Sequence, residues 1–275
     1  MISNLIVTGT RGFLGKELVR YFAQSQEIRV WSAGRSYEPD SISNVVRTNS
    51  LVNVGVILSG WSGVFSAQKN DPEAQQISLE NFRQQVLESF DIGASLVVGF
   101  GSQAEYESQD NYSSYAQAKS LARSFLLEQS EKNGVIAHWL RIFSVYGPGM
   151  DTRWILPKFI ETAMCNQIFE VGPCKQKWGF LHISDFCRAI SFLLERSSEA
   201  PFDIDVGAPA SQTLREILLS AESSMNWDNL KFDDLPSLAR DSVPNLKTLS
   251  DFGWVPEVNF LRGFRDLVEH YAKSN

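Results

Sequence analysis

The chain has 275 residues, 43% of them apolar, and a net charge of −7. That is enough apolar material for one large domain, or one plus a small lobe. No stretch is dominated by Lys and Arg, and no apolar run approaches the ~20 residues of a membrane span, so nucleic acid and membrane are excluded as expected partners.

Residues 4–8 read as a short buried strand, followed by Gly9-Thr10-Arg11-Gly12-Phe13-Leu14-Gly15. Leu14, Leu18, Val19 and Phe22 then recur at helical spacing, and 28–33 reads as the next strand. This is one βαβ unit. Further strands are predicted at 54–58, 95–100 and 136–143, with helices near 74–90 and 115–131. Strands alternating with helices predict an α/β fold with a doubly wound parallel sheet of the Rossmann type. After Pro148 the rhythm loosens. A helix is expected at 155–165, a strand at 178–183, a helix capped by Ser184 and running to about 196, and a strand at 202–206. Thr213-Leu-Arg-Glu216 fits a capping box opening a helix to about 224. Segment 225–245 reads as loop. A short helix over 245–252 stops at Gly253, and Leu261, Phe264, Leu267, Val268 and Tyr271 mark a final amphipathic helix. The expected division is a dinucleotide-binding domain at 1–150, with segments near 178–200 returning to it, and a smaller substrate-binding lobe, mainly 151–275. Cys165, Cys174 and Cys187 are odd in number and lack metal spacing, so they read as thiols in a reducing compartment, with no metal site. The N-terminus has no cationic segment ahead of an apolar core, and a soluble cytoplasmic protein is expected.

The glycine turn suits a pyrophosphate. Gly9 lets the chain turn sharply, Gly12 lets the backbone approach phosphate, and Gly15 lets the helix pack on the strand. The helix N-terminus adds free N–H groups and a positive dipole. Where an NAD site usually carries an acid after the second strand, this chain reads Ser32-Ala33-Gly34-Arg35-Ser36, with no acid before Glu38. Arg35 and Arg11 can pair with a 2′-phosphate and Ser36 can add a hydroxyl, which favours NADP. Ser102 follows the 95–100 strand, where a doubly wound sheet opens its ligand crevice. Tyr115 and Lys119 are four apart, on one face of a helix. A fixed ammonium there is expected to stabilise the phenolate and lower the phenol's pKa toward the range useful for acid–base work.

Glycine turn, strand-end serine and Tyr-x-x-x-Lys together resemble the short-chain dehydrogenase/reductase superfamily. The details resemble its extended branch of nucleotide-sugar epimerases, dehydratases and reductases: Thr8-Gly-x-x-Gly-Phe-Leu-Gly15, Leu140-Arg-Ile-Phe-Ser-Val-Tyr-Gly-Pro-Gly149, Lys177-Trp-Gly-Phe-Leu-His-Ile-Ser-Asp185 and the Asn245–Trp254 segment. The resemblance covers essentially the whole chain. It implies that Tyr115 donates or accepts the proton, that Lys119 lowers the phenol and holds the nicotinamide ribose, and that Ser102 orients the substrate oxygen. It also implies that Phe143, Ser144 and Val145 pack near the nicotinamide. Asn49, Ser50 and Leu51 match an adenine-side turn after the third strand, and Ser59, Gly60 and Trp61 match the turn after the fourth. The branch commonly has small alanines there, so Trp61 is a departure.

Dehydratases of this branch place an Asp-Glu pair directly after the strand-end hydroxyl residue, whereas this chain has Gln103 and Ala104. The expected reaction is therefore reduction by NADPH of a nucleotide-activated 4-keto-6-deoxy sugar, of the kind used in surface polysaccharides. Gln103, Trp154, Pro157, Lys158, Lys177 and Trp178 are candidate substrate-binding residues; Lys177 would neutralise a diphosphate and Trp178 would stack. His182 reads as a packed strand histidine. Two alternatives stand beside this: an epimerase with tightly held NAD(P), and a non-catalytic NADP-binding regulator. The resemblance also implies a possible homodimer through the catalytic helix and its predecessor.

Overall fold

The computed structural model describes residues 2–107, 112–236 and 239–274. The chain forms two compact units, Met1–Ile142 with Ser191–Ile204, and Phe143–Ile190 with Asp205–Asn275.

The first unit opens with β1 (Asn4–Thr8), α1 (Phe13–Phe22), β2 (Arg29–Ala33), α2 (Ile42–Asn49) and β3 (Val54–Leu58). It continues with α3 (Ser66–Lys69), α4 (Pro72–Asp91), β4 (Leu96–Ser102), a 3₁₀ turn (Gln103–Tyr106), α5 (Ser114–Asn133) and β5 (Ile136–Ile142). Each start has a local cause. Ser41 caps α2, Ser113 caps α5, and Asp71 caps α4 with Pro72 at its first turn. Glycines end α4 and α5, Gly93 and Gly134 both having positive φ.

In the second unit lie β6 (Val145–Tyr146), α6 (Ile155–Met164), β7 (Phe169–Val171), β8 (Lys177–Trp178) and β9 (Leu181–His182). Then come α7 (Ile183–Glu195), whose last residues belong to the first unit, and β10 (Asp203–Val206), which spans the boundary. β11 (Gln212–Thr213), α8 (Leu214–Ser224), β12 (Leu230–Phe232), α9 (Lys247–Asp251) and α10 (Phe260–Ser274) complete it. Its core is aromatic: Phe159 meets Phe169, Trp227 and Phe264 at centroid distances of 5.5, 5.2 and 6.1 Å.

The central sheet has the order β10-β5-β4-β3-β1-β2, and the pairings among β1 to β5 are parallel. From β1 the chain steps outward to β2 and then returns past β1 to β3. This makes the carboxyl ends of β1 and β3 the switch point, where doubly wound sheets bind ligands. β1 and β3 are buried along their whole length, as strands covered on both faces must be. α4 and α5 supply part of the cover, with Leu79, Phe82, Val86 and Leu126 against Val97 and Trp139 in the core.

Three expectations are corrected. Residues 42–49 form a helix, and no described strand lies between β2 and β3. Ser50 and Leu51 therefore follow a helix, and Ser59 to Trp61 follow the third strand. The strand expected at 178–183 is two short strands, with a helix starting at Ile183; the cap is not Ser184, because the buried His182 ring takes that place and its Nδ1 accepts from Ser184 N–H at 3.4 Å. The 225–245 loop contains β12, which pairs in parallel with β7. Three-residue strands are too short for alternation to reveal them.

Candidate active site

At the switch point the site is backbone against backbone. Gly9 has φ +68, and a Cβ on it would lie 2.5 Å from Gly60 Cα. A Cβ on Gly15 would lie 2.5 Å from Gly9 O, so α1 packs directly on the turn. Ser59 Oγ donates to Thr8 O at 2.5 Å and ties the end of β3 to the end of β1. A Cβ on Gly12 would meet only Gly9 O, at 3.3 Å. Gly12 is also the N-cap of α1 and brings no side-chain acceptor, which leaves the first helical turn, Phe13 to Gly15, unoccupied by any cap. Thr10 is half-buried and Arg11 exposed in this turn. That is the cradle a dinucleotide pyrophosphate requires, and the residues present fit it.

Beyond β2 the chain carries Arg35, exposed, and Ser36, whose Oγ donates to Glu88 Oε2 at 2.9 Å. Glu38 accepts from Arg35 N–H, and Glu88 also accepts from Ser43 N–H at 2.8 Å. The Asp40 carboxylate folds back onto Gly34, occupying the space a side chain would need there. Reading along the sequence finds no acid before Glu38; folding brings Asp40 and Glu88 to the same place. Ser50 adopts a left-handed conformation (φ 50) ending α2, and Leu51 N–H bonds to Val46 O.

At the carboxyl end of β4, Ser102 caps the 3₁₀ turn. Its Oγ accepts from Ala104 N–H at 3.2 Å, and Glu105 Oε1 accepts from Ser102 N–H at 2.7 Å. The Tyr115 side chain comes from the first turn of α5, is 9% exposed, and is hydrogen-bonded to Ser102. Burial pushes the phenol up to about 12; the Ser102 bond opposes this, and the charges of Glu105 and Glu107 reinforce it. The expectation of a lowered phenol is thus reversed. Lys119, 4% exposed, donates from Nζ to Phe100 O at 2.7 Å, lies 3.8 Å from the centre of the Trp61 ring, and is 5.8 Å from that of Tyr115. Burial pulls the ammonium's pKa down, and Glu105 pulls it back up.

Glu105 is the residue the sequence reading missed. Gly101 leaves room for its carboxylate, which accepts from Trp139 Nε1 at 2.9 Å and pairs with Arg141 Nε at 3.4 Å. Burial raises its pKa against these bonds. The signal was present: Ser102-Gln-Ala-Glu105 is itself a capping box. Glu107 has a separate setting. Burial would raise it, but Lys69, at 2.7 Å, and the Ser113 Oγ and N–H groups hold it below the usual carboxylate range. A cavity of about 440 Å³ is lined by Glu105, Glu107, Tyr112 and Gln117.

Gln103 sits half-buried in the 3₁₀ turn. The remaining expected residues lie in the second unit. Phe143 is buried, with its N–H bonded to Val206 O, and Val145 starts β6. Trp154 is 43% exposed, ahead of α6, and Lys158 is exposed on that helix. Lys177 is exposed, its N–H bonded to Asp241 at 2.7 Å. Trp178 is half-buried, with Nε1 buried and unbonded among the described residues. No described helix is long and apolar enough to cross a membrane.

Residues 83–207, which carry Ser102, Tyr115 and Lys119, match the model of the NAD dependent epimerase/dehydratase family. GDP-L-fucose synthase 1 of Arabidopsis thaliana is 30% identical over 101 residues, 34% of this chain and 30% of that protein. A dTDP-glucose 4,6-dehydratase of Streptomyces niveus is 28% identical over 169 residues, 58% of this chain and 49% of that protein. The chain therefore spans under half the length of these curated relatives. In fold it is similar to RMD from Pseudomonas aeruginosa complexed with NADPH, with a TM-score of 0.84 at 20% identity, covering 99% of this chain and 100% of that one. The match to the NAD dependent epimerase/dehydratase family thus covers residues 83–207, under half of the chain, and the likeness to the solved structure is one of fold.

Proposed function

We propose that the chain is an NADPH-dependent reductase of a nucleotide-activated 4-keto-6-deoxy sugar. The observation that carries this reading is Tyr115: a buried phenol, protonated at every physiological pH, hydrogen-bonded to Ser102 at the carboxyl end of β4. Such a pair is set to give a proton rather than to take one. The bound dinucleotide, held at Gly9 to Gly15, would supply the hydride to the carbonyl carbon. Ser102 and Tyr115 would both point their hydroxyls at the carbonyl oxygen, and the Tyr115 proton would pass to it as negative charge develops. Even raised by burial, a phenol is more acidic than an alcohol, so the transfer runs toward product. Glu105 and Glu107 then disfavour the tyrosinate left behind and draw a proton back to it.

Gln103 and Ala104 supply neither acid nor base where a dehydratase needs both, which supports reduction over elimination. The preference for NADPH rests on Arg35 and Arg11, exposed and cationic at the adenosine end. The second unit, with Trp154, Lys158, Lys177 and Trp178, is our assignment for the nucleotide sugar.

The test is loss of reduced-nicotinamide absorbance with CDP-, dTDP-, GDP- and UDP-linked 4-keto-6-deoxy sugars. One of them should be turned over. Tyr115→Phe should lower kcat by about a hundredfold to ten-thousandfold while leaving NADPH affinity unchanged. Turnover of none of the four would sink the substrate class, and normal turnover by Tyr115→Phe would sink the mechanism.

A further inference from the structure

We propose that Trp61 is a positioning residue for Lys119, its indole face forming with the Phe100 carbonyl a cradle that holds the buried ammonium in place as a cation, the Glu105 charge acting on it from outside that cradle. The inference rests on the reading of Lys119 as part of the reductase site, and adds a residue that the branch commonly has as a small alanine.

Three observations converge on it. The Lys119 ammonium lies 3.8 Å from the centre of the Trp61 ring, well inside the range of cation–π attraction, and close to the nearest approach the two groups permit. It donates to Phe100 O at 2.7 Å, and this bond fixes its distance along β4. The indole itself is not free to turn: Trp61 Nε1 donates to Gln75 Oε1 at 3.0 Å. Gln75 is 2% exposed, and its amide nitrogen donates to Gly63 O at 2.8 Å and Gln68 O at 3.0 Å. Those two carbonyls oblige the glutamine to present its oxygen to Trp61. Phe82 and Tyr115 close the remaining sides of the ring, at centroid distances of 6.2 and 6.3 Å.

A core tryptophan that merely filled space would have no reason to present its face to a cation. Here the face is needed. An ammonium that is 4% exposed has lost nearly all its water, and its charged form survives only where other groups replace that water. The groups available are few. Glu105 comes from the 3₁₀ turn, and its charge is shared with Arg141 from β5, which also pairs with Asp203. Tyr115, on the same helix, is neutral. Glu107 and Lys69 neutralise one another beside the Tyr115 ring, Lys69 lying 5.9 Å from its centre. The indole supplies negative potential without adding a titrating group.

The test reads Lys119 directly. In the full chain, with lysine labelled at Cε and Nζ, an NMR pH titration follows the Lys119 signal, assigned by its loss in Lys119→Met. Trp61→Leu should move the Lys119 midpoint down by about one pH unit, and Trp61→Phe by about half as much. Stepwise fluorination of the indole at position 61 keeps its shape while weakening its face. It should lower the midpoint progressively, and it answers the question even where Trp61→Leu does not fold. A midpoint that stays fixed across the fluorinated series would overturn the cradle. No substrate enters this measurement, so it separates from the reductase reading: a shifted Lys119 together with full NADPH turnover in Lys119→Met would leave the cradle standing and remove the lysine from catalysis.

Discussion

At the carboxyl end of β1 the site is made of backbone; at the carboxyl end of β4 it is made of buried side chains. The first end depends on the absence of Cβ atoms: Gly9 against Gly60, Gly15 against the Gly9 carbonyl, and a helix start with no capping side chain. The second depends on long-range company. Tyr115 and Lys119 come from α5, Ser102 from the end of β4 with Glu105 in the 3₁₀ turn just past it, Trp61 from beyond the end of β3 and Arg141 from β5. A geometry written in consecutive residues is set by steric exclusion. One assembled from several elements is set by charge and desolvation, and these can reverse the effect that a short motif suggests.

The largest effect is expected from adding single methyl groups to the glycine turn. Gly9→Ala puts a Cβ into Gly60 at a φ of +68, where neither the backbone nor the neighbour can yield. We expect a loss of about 3 kcal/mol or more of unfolding free energy, read by denaturant unfolding with an unchanged m value. Gly12→Ala meets one atom at 3.3 Å, with φ −84, and should cost below about 1 kcal/mol. Its penalty should fall on dinucleotide affinity instead. If both variants lose stability equally, Gly12 belongs to the fold and not to the phosphate cradle.

The same contrast explains what could be read from sequence. The strand–turn–helix at 4–22 was legible because a buried strand, three spaced glycines and a helical period are each local signals. The capping box at Thr213 was legible for the same reason. α2 was not read, because its eight residues place Ile42, Val45 and Val46 over barely two turns and end without glycine, at Ser50. In the site, Ser102, Tyr115 and Lys119 were legible by spacing, but their electrostatics were not. Glu105 looks like a solvated charge until Gly99 and Gly101 on β4 are seen to make room for the Trp139 indole and the carboxylate bonded to it. Likewise, nothing local to Arg35 tells that Asp40 folds back to Gly34.

Tyr115 tests the second end of the comparison. Titration followed by tyrosinate absorbance, taken as wild type minus Tyr115→Phe, should show no ionisation of this phenol until well past the ordinary tyrosine range, near 12. The linked stability has a definite sign. The folded state keeps a proton that the unfolded chain loses near 10, so this contribution is complete below about pH 10 and is lost as pH rises toward 12. Wild type should therefore fall in stability relative to Tyr115→Phe across that window. A phenol that ionises below 10 in the free protein would mean that Lys119, not burial, governs it, and would restore the simple reading of the four-residue spacing.

The smallest expected effect lies at the exposed turn after β2, our proposed adenosine end, where neither steric exclusion nor burial operates. Arg35 is solvent-exposed, so its attraction for a 2′-phosphate is screened and modest. Around it Glu38 holds the Arg35 N–H, Glu88 holds Ser36 and Ser43, and Asp40 packs on Gly34. Arg35→Ala would leave a 2′-phosphate facing these carboxylates with only Arg11 to offset them. We expect the NADPH Kd to rise about tenfold, equivalent to about 1.4 kcal/mol, with the NADH Kd unchanged, as read by calorimetric titration. Raising the salt should shrink a wild-type preference for NADPH more than the variant's, because the variant keeps only the Arg11 guanidinium to screen. Equal weakening of both dinucleotides would mean that Arg35 shapes the turn without reading the phosphate. The three carboxylates would then be the groups that set cofactor choice, and they would set it toward NAD.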